Sequence, residues 1–254
     1  LRRLSHQRRK MEEDLAWFDT YLFNTTSMQE RVADRLLADD APLSLLESTD
    51  APATTDGRYG ESANGTLVPE TVMLGDTLTV GRFEVTRAQF QQFDADYTVP
   101  PGTDDYPASG RSAAQAQAYV EWLSDKTGRT YRLPTAAEHK ALRAARSGPT
   151  ENTPAYWAGY SPTPDEYARL RKRLSAHPVD ALLMPVGSRP PGHSDGSGPL
   201  LYDVDGNVAE WTTSDDGPTP GGASALTMKE ANAADAPDVP TAFMGLRVIR
   251  ADGS

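Results

Sequence analysis

Residues 202–211, YDVDGNVAEW, gather Asp203, Asp205, Asn207 and Glu210 around a single glycine, Gly206. Oxygen-bearing side chains at this density suit Ca²⁺, which takes six to eight oxygen ligands from carboxylates, side-chain amides and backbone carbonyls. Gly206 would let the backbone turn so that carbonyls converge on an ion. The stretch is not an EF-hand. With Gly206 at the sixth position, the first would be Leu201 and the twelfth Thr212, where acidic ligands are required. Spacing alone equally allows an ion-free Asx turn, in which the carboxylates bond neighbouring backbone amides.

Other chemistries find little support. The chain has no cysteine, which removes disulfides, thiolate metal sites and thiol nucleophiles together. Its four histidines, His6, His139, His177 and His193, stand apart from one another in sequence. No G-x-S-x-G, P-loop, G-x-G-x-x-G or H-E-x-x-H pattern occurs. The acidic pairs Asp104–Asp105 and Asp215–Asp216 lie in Gly/Pro loops and read as solvated.

Charge narrows the partners. The formal net charge is −11, and residues 1–10 (LRRLSHQRRK) carry five basic groups and no acidic one, so the rest of the chain stands at −16, that is −11 less those five. Such a body repels nucleic acid. The basic opening either touches an anionic surface, a membrane face or an acidic partner, or is the solvated side of a helix. No apolar run reaches the roughly 20 residues of a membrane span, and no signal-peptide pattern begins the chain. Leu1 in place of Met leads us to expect a fragment of a longer protein; the compartment is not readable, and a soluble domain, with the extracytoplasmic part of a membrane-anchored protein as one setting, is the expectation.

At 254 residues, one main core plus an appendage is expected. Residues 1–47 read as a helical hairpin or stalk suited to tethering or oligomerisation. In it, Leu4, Met11, Leu15 and Phe18 fall at broadly helical spacing, and Ser27 with Glu30 starts a second helix. Residues 48–66 are rich in Ser, Thr, Asp, Gly and Ala and read as a linker, so the globular domain is expected over 67–254. VMLGDTLTVGRFEVT alternates like strands. Three capping boxes follow, Thr86 with Gln89, Ser112 with Gln115 and Thr135 with Glu138, and each marks a helix start. Ala116, Tyr119, Val120 and Leu123 form one buried stripe on the second of these helices, with Gly128 as its stop. After residue 147, Pro and Gly punctuate the chain to residue 222, which predicts mostly loop with a few short strands. AFMGLRVIR near the end predicts a final strand.

Four segments, GRFEVTRAQFQQF (81–93), AYVEWLSDKTGRTYRLPTAAEHKALRAAR (118–146), LYDVDGNVAEWT (201–212) and MGLRVIR (244–250), resemble the motifs of the formylglycine-generating enzyme (sulfatase-modifying factor) family, and in its order. The resemblance implies an α+β, C-type-lectin-like fold, rich in irregular loops. It also implies a structural calcium held by the Asp203 side chain, the carbonyls of Gly206 and Val208, and Glu210. Ala209 stands where the family usually has Trp, so a large apolar anchor is missing beside that turn. The family's sulfatase-activating members bind copper through paired cysteines, which this chain lacks. A sister branch, the sulfoxide synthases, holds iron through clustered histidines. His139 occupies a position that is usually Trp and is expected at the surface or in packing rather than as a ligand.

Two functional readings follow. The first is a noncatalytic, calcium-stabilised recognition module of a larger protein, as in the sensor domains of bacterial kinases that the resemblance brings in. Its ligand, an unidentified protein or small molecule, would meet loops 185–199 and 213–243, with Trp157, Tyr160, His193 and Trp211 as contacts. Tyr202 and Trp211 also suit a core position. The second reading is an iron- or copper-dependent oxygenase built on His177, His193 and a loop carboxylate. The resemblance also admits the variable ligand-binding proteins of diversity-generating retroelements. However, the segment from GGAS (221–224) to GLR (245–247) is rich in Ala, Asp and Pro rather than Asn, Tyr and Ser.

Overall fold

A short hairpin opens the described part of the chain: β1 (Gly60–Ala63) pairs antiparallel with β2 (Thr66–Pro69) across Asn64 and Gly65. Both turn residues are left-handed, at φ 52° and 77°, as a two-residue turn matching the strand twist requires. The computed structural model describes residues 60–75, 78–144, 151–158, 161–189, 201–228 and 239–251. The expected stalk, 1–47, and most of the expected linker lie outside these residues. The linker reading fails over 60–66, because Asn-Gly between two short strands is a hairpin signal that Ser/Thr/Gly-rich composition masked.

A second hairpin joins β3 (Thr71–Leu74) to β4 (Leu78–Gly81). With β9 (Ile249–Ala251) and β5 (Thr130–Arg132) they form an antiparallel sheet in the order β3-β4-β9-β5. The expected single terminal strand is two strands in two sheets. A 3₁₀ turn (Thr241–Phe243) leads into β8 (Met244–Gly245), which runs parallel to β6 (Ala209–Thr212). β7 (Thr219–Gly221) completes that second sheet from the other side of β6. The backbone between β8 and β9 thus carries Arg247 from one sheet to the other, a switch that hydrophobic alternation cannot reveal.

All three capping boxes form. Thr86 starts α1 (Arg87–Gln91) and Ser112 starts α2 (Ala113–Thr127), each with reciprocal bonds to its Gln three residues on. Thr135 and Glu138 exchange the same pair at the head of α3 (Ala136–Ala144). The stripe Ala116, Tyr119, Val120 and Leu123 is the buried face of α2, and Gly128 ends it at φ 67°. Phe90 of α1 stacks on Tyr119 at 5.6 Å between centroids, at the centre of a core shared with Val68, Leu133 and Val248.

The segment after residue 147 is more helical than its Pro/Gly content suggests. α4 (Pro154–Ala158), α5 (Pro164–Leu174) and α6 (Val179–Leu182) fall within it. Thr163 caps α5 with Glu166 in a fourth capping box and Pro164 in its first turn, where proline is tolerated because its missing N–H has no helical partner. Proline here starts a helix. These helices bury Trp157, Leu170, Leu174 and Leu182 in a second core with Phe243 and Leu226. The result is the mixed helix and sheet class expected, and no described helix is long and apolar enough to cross a membrane.

Candidate functional site: a buried polar turn

The 202–211 turn is built from the outside in. Asp203 and Asn207 adopt left-handed conformations, φ 53° and 63°, which short polar side chains tolerate better than most. Gly206 has another role from the one its turn-forming freedom suggested. A Cβ there would stand 2.7 Å from the Glu151 Cβ and 2.9 Å from the Asn152 nitrogen, so glycine is needed because the backbone of 151–152 packs directly against it. That contact is sealed by Asn207 N–H donating to the Asn152 carbonyl at 2.8 Å.

Asn207 is the hub. Its side-chain oxygen accepts from Asn152 Nδ2 and from the Met184 amide, both at 3.0 Å. Its Nδ2 donates to Glu84 Oε2 at 2.9 Å and to the Met184 carbonyl at 3.1 Å. An amide has two lone pairs and two N–H donors, and all four are used. Two carboxylates from distant segments then cap the turn. Glu84 accepts the Val208 amide at 3.0 Å, and Glu151 accepts the amides of Val204 and Asp205. Asp203 Oδ2 accepts the Gly187 amide at 2.6 Å, and Asp205 pairs with Arg143 at 2.5 Å.

Glu210 faces the Arg247 guanidinium and the His139 imidazole. Its Oε1 accepts from Arg247 Nε at 2.8 Å and lies 2.7 Å from Nη2. Its Oε2 lies 3.1 Å from His139 Nε2, although the two are not aligned as a hydrogen bond. Arg247 is wholly buried and spends its remaining donors on the carbonyls of Gly81 and Tyr202, at 2.9 and 2.7 Å. Burial alone would raise the Glu210 carboxyl, but Arg247 and His139 outweigh it and hold the group below the usual carboxylate range. Glu84 goes the other way. Burial pushes it well above that range, and the nearby Asp203 and Glu210 charges push it further.

The structure therefore brings Asp203, Gly206, Val208 and Glu210 into one buried turn. The calcium expectation meets a mixed donor set there. Glu84, Asp203 and Glu210 are all buried, with Arg247 as the cationic partner and the His139 imidazole beside Glu210, and the Glu210 Oε2 atom makes no aligned hydrogen bond. Surplus buried carboxylate, with one oxygen that only His139 approaches, is what a divalent cation satisfies. Oε1 is committed to Arg247. Oxygen donors of the right kind are thus present at Asp203, Gly206, Val208 and Glu210 Oε2. Among the described residues, no group of three His, Cys, Asp or Glu converges in a metal-binding arrangement.

The aromatic contacts separate. Trp157 is buried in the second core, edge-on to Tyr156 at 5.0 Å, so it is a packing residue and cannot meet a ligand at the surface. Trp211 is half-buried and donates Nε1 to the Arg111 carbonyl at 2.8 Å. Tyr202 stacks on Phe83 at 4.9 Å. Tyr160 and His193 lie outside the described residues, as do 190–199 and 229–238 of the two expected contact loops. His177 is exposed just beyond α5, and His139 is a buried packing residue rather than a surface one. Glu151 and Asn152 had no sequence signal, since they sit in a Pro-rich run without periodicity. Glu84 and Arg247 lay inside quoted motifs, EVT and GLR, but nothing local told what they reach.

A family model described as the sulfatase-modifying factor enzyme 1-like domain matches residues 49–252. The chain belongs to this family. Among solved structures, this sulfatase-modifying factor-like chain is similar to PvdO from Pseudomonas aeruginosa at 20% identity, over 78% of this chain and 89% of that one, with a TM-score of 0.45. It is similar to CarF at 22% identity, over 69% of this chain and 87% of that one, with a TM-score of 0.41. No curated protein matches it. Within the sulfatase-modifying factor-like domain, Ala209 takes the place of the usual Trp in the central turn. It is fully buried in β6 opposite Met244, so the strand is packed without the large ring.

Proposed function

We propose that this sulfatase-modifying factor-like domain is a noncatalytic recognition module whose central turn is braced by calcium. The observation that carries the first part is the fate of the turn's polar groups. Asn207, Glu84, Glu151 and Glu210 are turned inward on the protein's own amides and on Arg247, which suits a scaffold rather than a reaction centre. The absence of any cysteine supports it, because copper chemistry of the sulfatase-activating kind needs a thiolate pair. Calcium is supported by the oxygen donors of Asp203, Gly206, Val208 and Glu210 Oε2 and by the surplus of buried carboxylate around them. Once bound, it would neutralise that surplus and hold the loops leading into β6.

Elemental analysis of the purified protein, with melting curves before and after chelation, tests both parts. Stoichiometric calcium and a melting point that falls on chelation are expected. Asp203→Asn keeps an oxygen for the Gly187 amide while removing a charge, so it should weaken the response to calcium more than it weakens the calcium-free protein. A chelation-insensitive melting point overturns calcium. Stoichiometric iron or copper with oxygen consumption overturns the noncatalytic reading and favours an oxygenase using His177 and His193.

A further inference from the structure

Away from the 202–211 turn, a second polar cluster lies where α1, the 94–111 loop and α6 meet. Arg87, buried at 3% exposure, donates to Thr103 Oγ1 at 2.8 Å and pairs with Asp180. Its guanidinium carbon lies 5.4 Å from the centre of the Tyr106 ring. A second guanidinium, that of Arg111, packs over Tyr97 at 4.6 Å and Phe90 at 5.2 Å. Burial raises the Tyr97 phenol against the pull of both Arg87 and Arg111.

Arg111 differs from its neighbours in having no carboxylate. Arg82, Arg87, Arg129, Arg132, Arg143 and Arg247 each pair with an acid. Among the described residues, Arg111 makes no ion pair, in a chain of net charge −11 where acids outnumber bases. Its position is nevertheless fixed. The backbone N–H donates to the Met244 carbonyl at 3.1 Å, the carbonyl accepts Trp211 Nε1 at 2.8 Å, and Nε donates to the Ser109 carbonyl at 2.9 Å. That leaves the terminal nitrogens of this half-buried residue, whose guanidinium lies over the Tyr97 and Phe90 rings, as a planar donor edge with no hydrogen bond among the described residues. A guanidinium whose orientation is set in advance binds an oxyanion without the ordering cost of a free side chain.

We propose that Arg111, backed by Tyr97 and Phe90 and with Arg87–Asp180 beside it, is a binding site for a ligand carboxylate. The choice of carboxylate over phosphate follows from charge. Arg87 is already paired with Asp180, so Arg111 offers a single positive charge, which a monoanion neutralises and a phosphate dianion overshoots. Arg111 would engage the carboxylate through two parallel N–H···O bonds, as Arg132 engages Glu138 elsewhere in this chain. The site deepens the recognition reading by naming a ligand class and rests on it. The two fail separately, since metal content and oxygen consumption judge that reading and do not touch Arg111.

The test is a titration of the full ¹⁵N-labelled chain with N-acetylglycine, acetate and inorganic phosphate at matched ionic strength, followed at the Arg111 Nε–H and the Tyr97 amide. Saturable shifts with a carboxylate are expected, weakened about tenfold in Arg111→Gln, unchanged in Arg129→Gln, and at least several-fold weaker with phosphate. A preference for N-acetylglycine over acetate would assign the site to a peptide terminus. Equal binding would assign it to small acids. Should Arg111→Gln not fold, Arg111→Lys retains the charge without the fork and should still bind more weakly than the parent. Non-saturating shifts matching those with chloride, undiminished binding in the Arg111 variants, or phosphate binding as tight as carboxylate would each overturn the proposal.

Discussion

Arg132 and Arg247 each hold a glutamate, and little else about the two pairs is alike. Arg132 and Glu138 are six residues apart, joined by two bonds of 2.7 and 2.6 Å, with side chains 41% and 24% exposed. Arg247 and Glu210 are 37 residues apart, with side chains 0% and 1% exposed. The outer pair tightens a helix start that Thr135 already caps. The inner pair neutralises a charge that could not otherwise remain inside. One chemical contact is therefore an accessory in water and a requirement in the core, because removing one partner of a buried pair strands the other without solvent.

The largest effect should come from breaking the inner pair. Arg247→Ala leaves Glu210 facing Glu84 and Asp203 and frees the carbonyls of Gly81 and Tyr202. A loss of about 3–5 kcal/mol in denaturant-induced unfolding is expected, and a loss like that of a surface pair would show that the buried charges find other compensation. Next is the hub between Glu84 and the turn. Asn207→Ala removes four side-chain hydrogen bonds at a left-handed position, and about 2–4 kcal/mol should be lost. Equilibrium unfolding would measure it, with proteolysis as a check on whether the 151–152 and 184 segments detach first.

Smaller effects belong to the outer pair. Thr135→Ala removes the α3 cap and should cost about 1 kcal/mol by the same unfolding measurement. Glu138→Gln is the sharpest comparison, because glutamine already completes the boxes at Thr86 and Ser112. It keeps the cap and removes only the ion pair, so about 0.5 kcal/mol or less is expected at neutral pH after allowing for solvent screening.

The pH dependence fixes the sign. The hydrogen bond from Arg132 holds the Glu138 carboxyl at about 2. A lowered acid stabilises the fold above its unfolded value and loses that contribution as the pH falls through the folded one. Parent and Glu138→Gln should therefore converge in stability as pH falls toward 2. A constant difference across that range would mean the loss came from the cap and not from charge.

The same contrast explains what could be read in advance. Capping boxes, the α2 stripe and the Gly128 stop were readable because each links residues three to seven positions apart on a helix of fixed geometry. The α5 box obeyed the same grammar, but the surrounding prolines argued loop. The 202–211 turn was visible as a concentration of oxygen atoms, while its partners were not. Glu84 reaches Asn207 and Val208 across 123 and 124 residues, and Glu151 and Asn152 reach it from a run with no pattern. Trp157 looked like a contact residue because an aromatic in a Pro-rich segment carries no mark of which side faces the core.

The sequence by itself determined the helix starts, the strand alternation near Val72–Val80, the oxygen-rich turn, the absence of thiol chemistry and the family motifs. These depend on local geometry or on composition, both written along the chain. The tertiary structure decided that Arg247 lies between two sheets beneath Glu210, that Gly206 is glycine because of a neighbouring backbone, and that Arg111 has no acid of its own among the described residues. Each depends on which distant segments pack together, and burial then decides the effect. It turns an exchangeable charge into a fixed one, and a turn residue into a hub with no spare hydrogen bond.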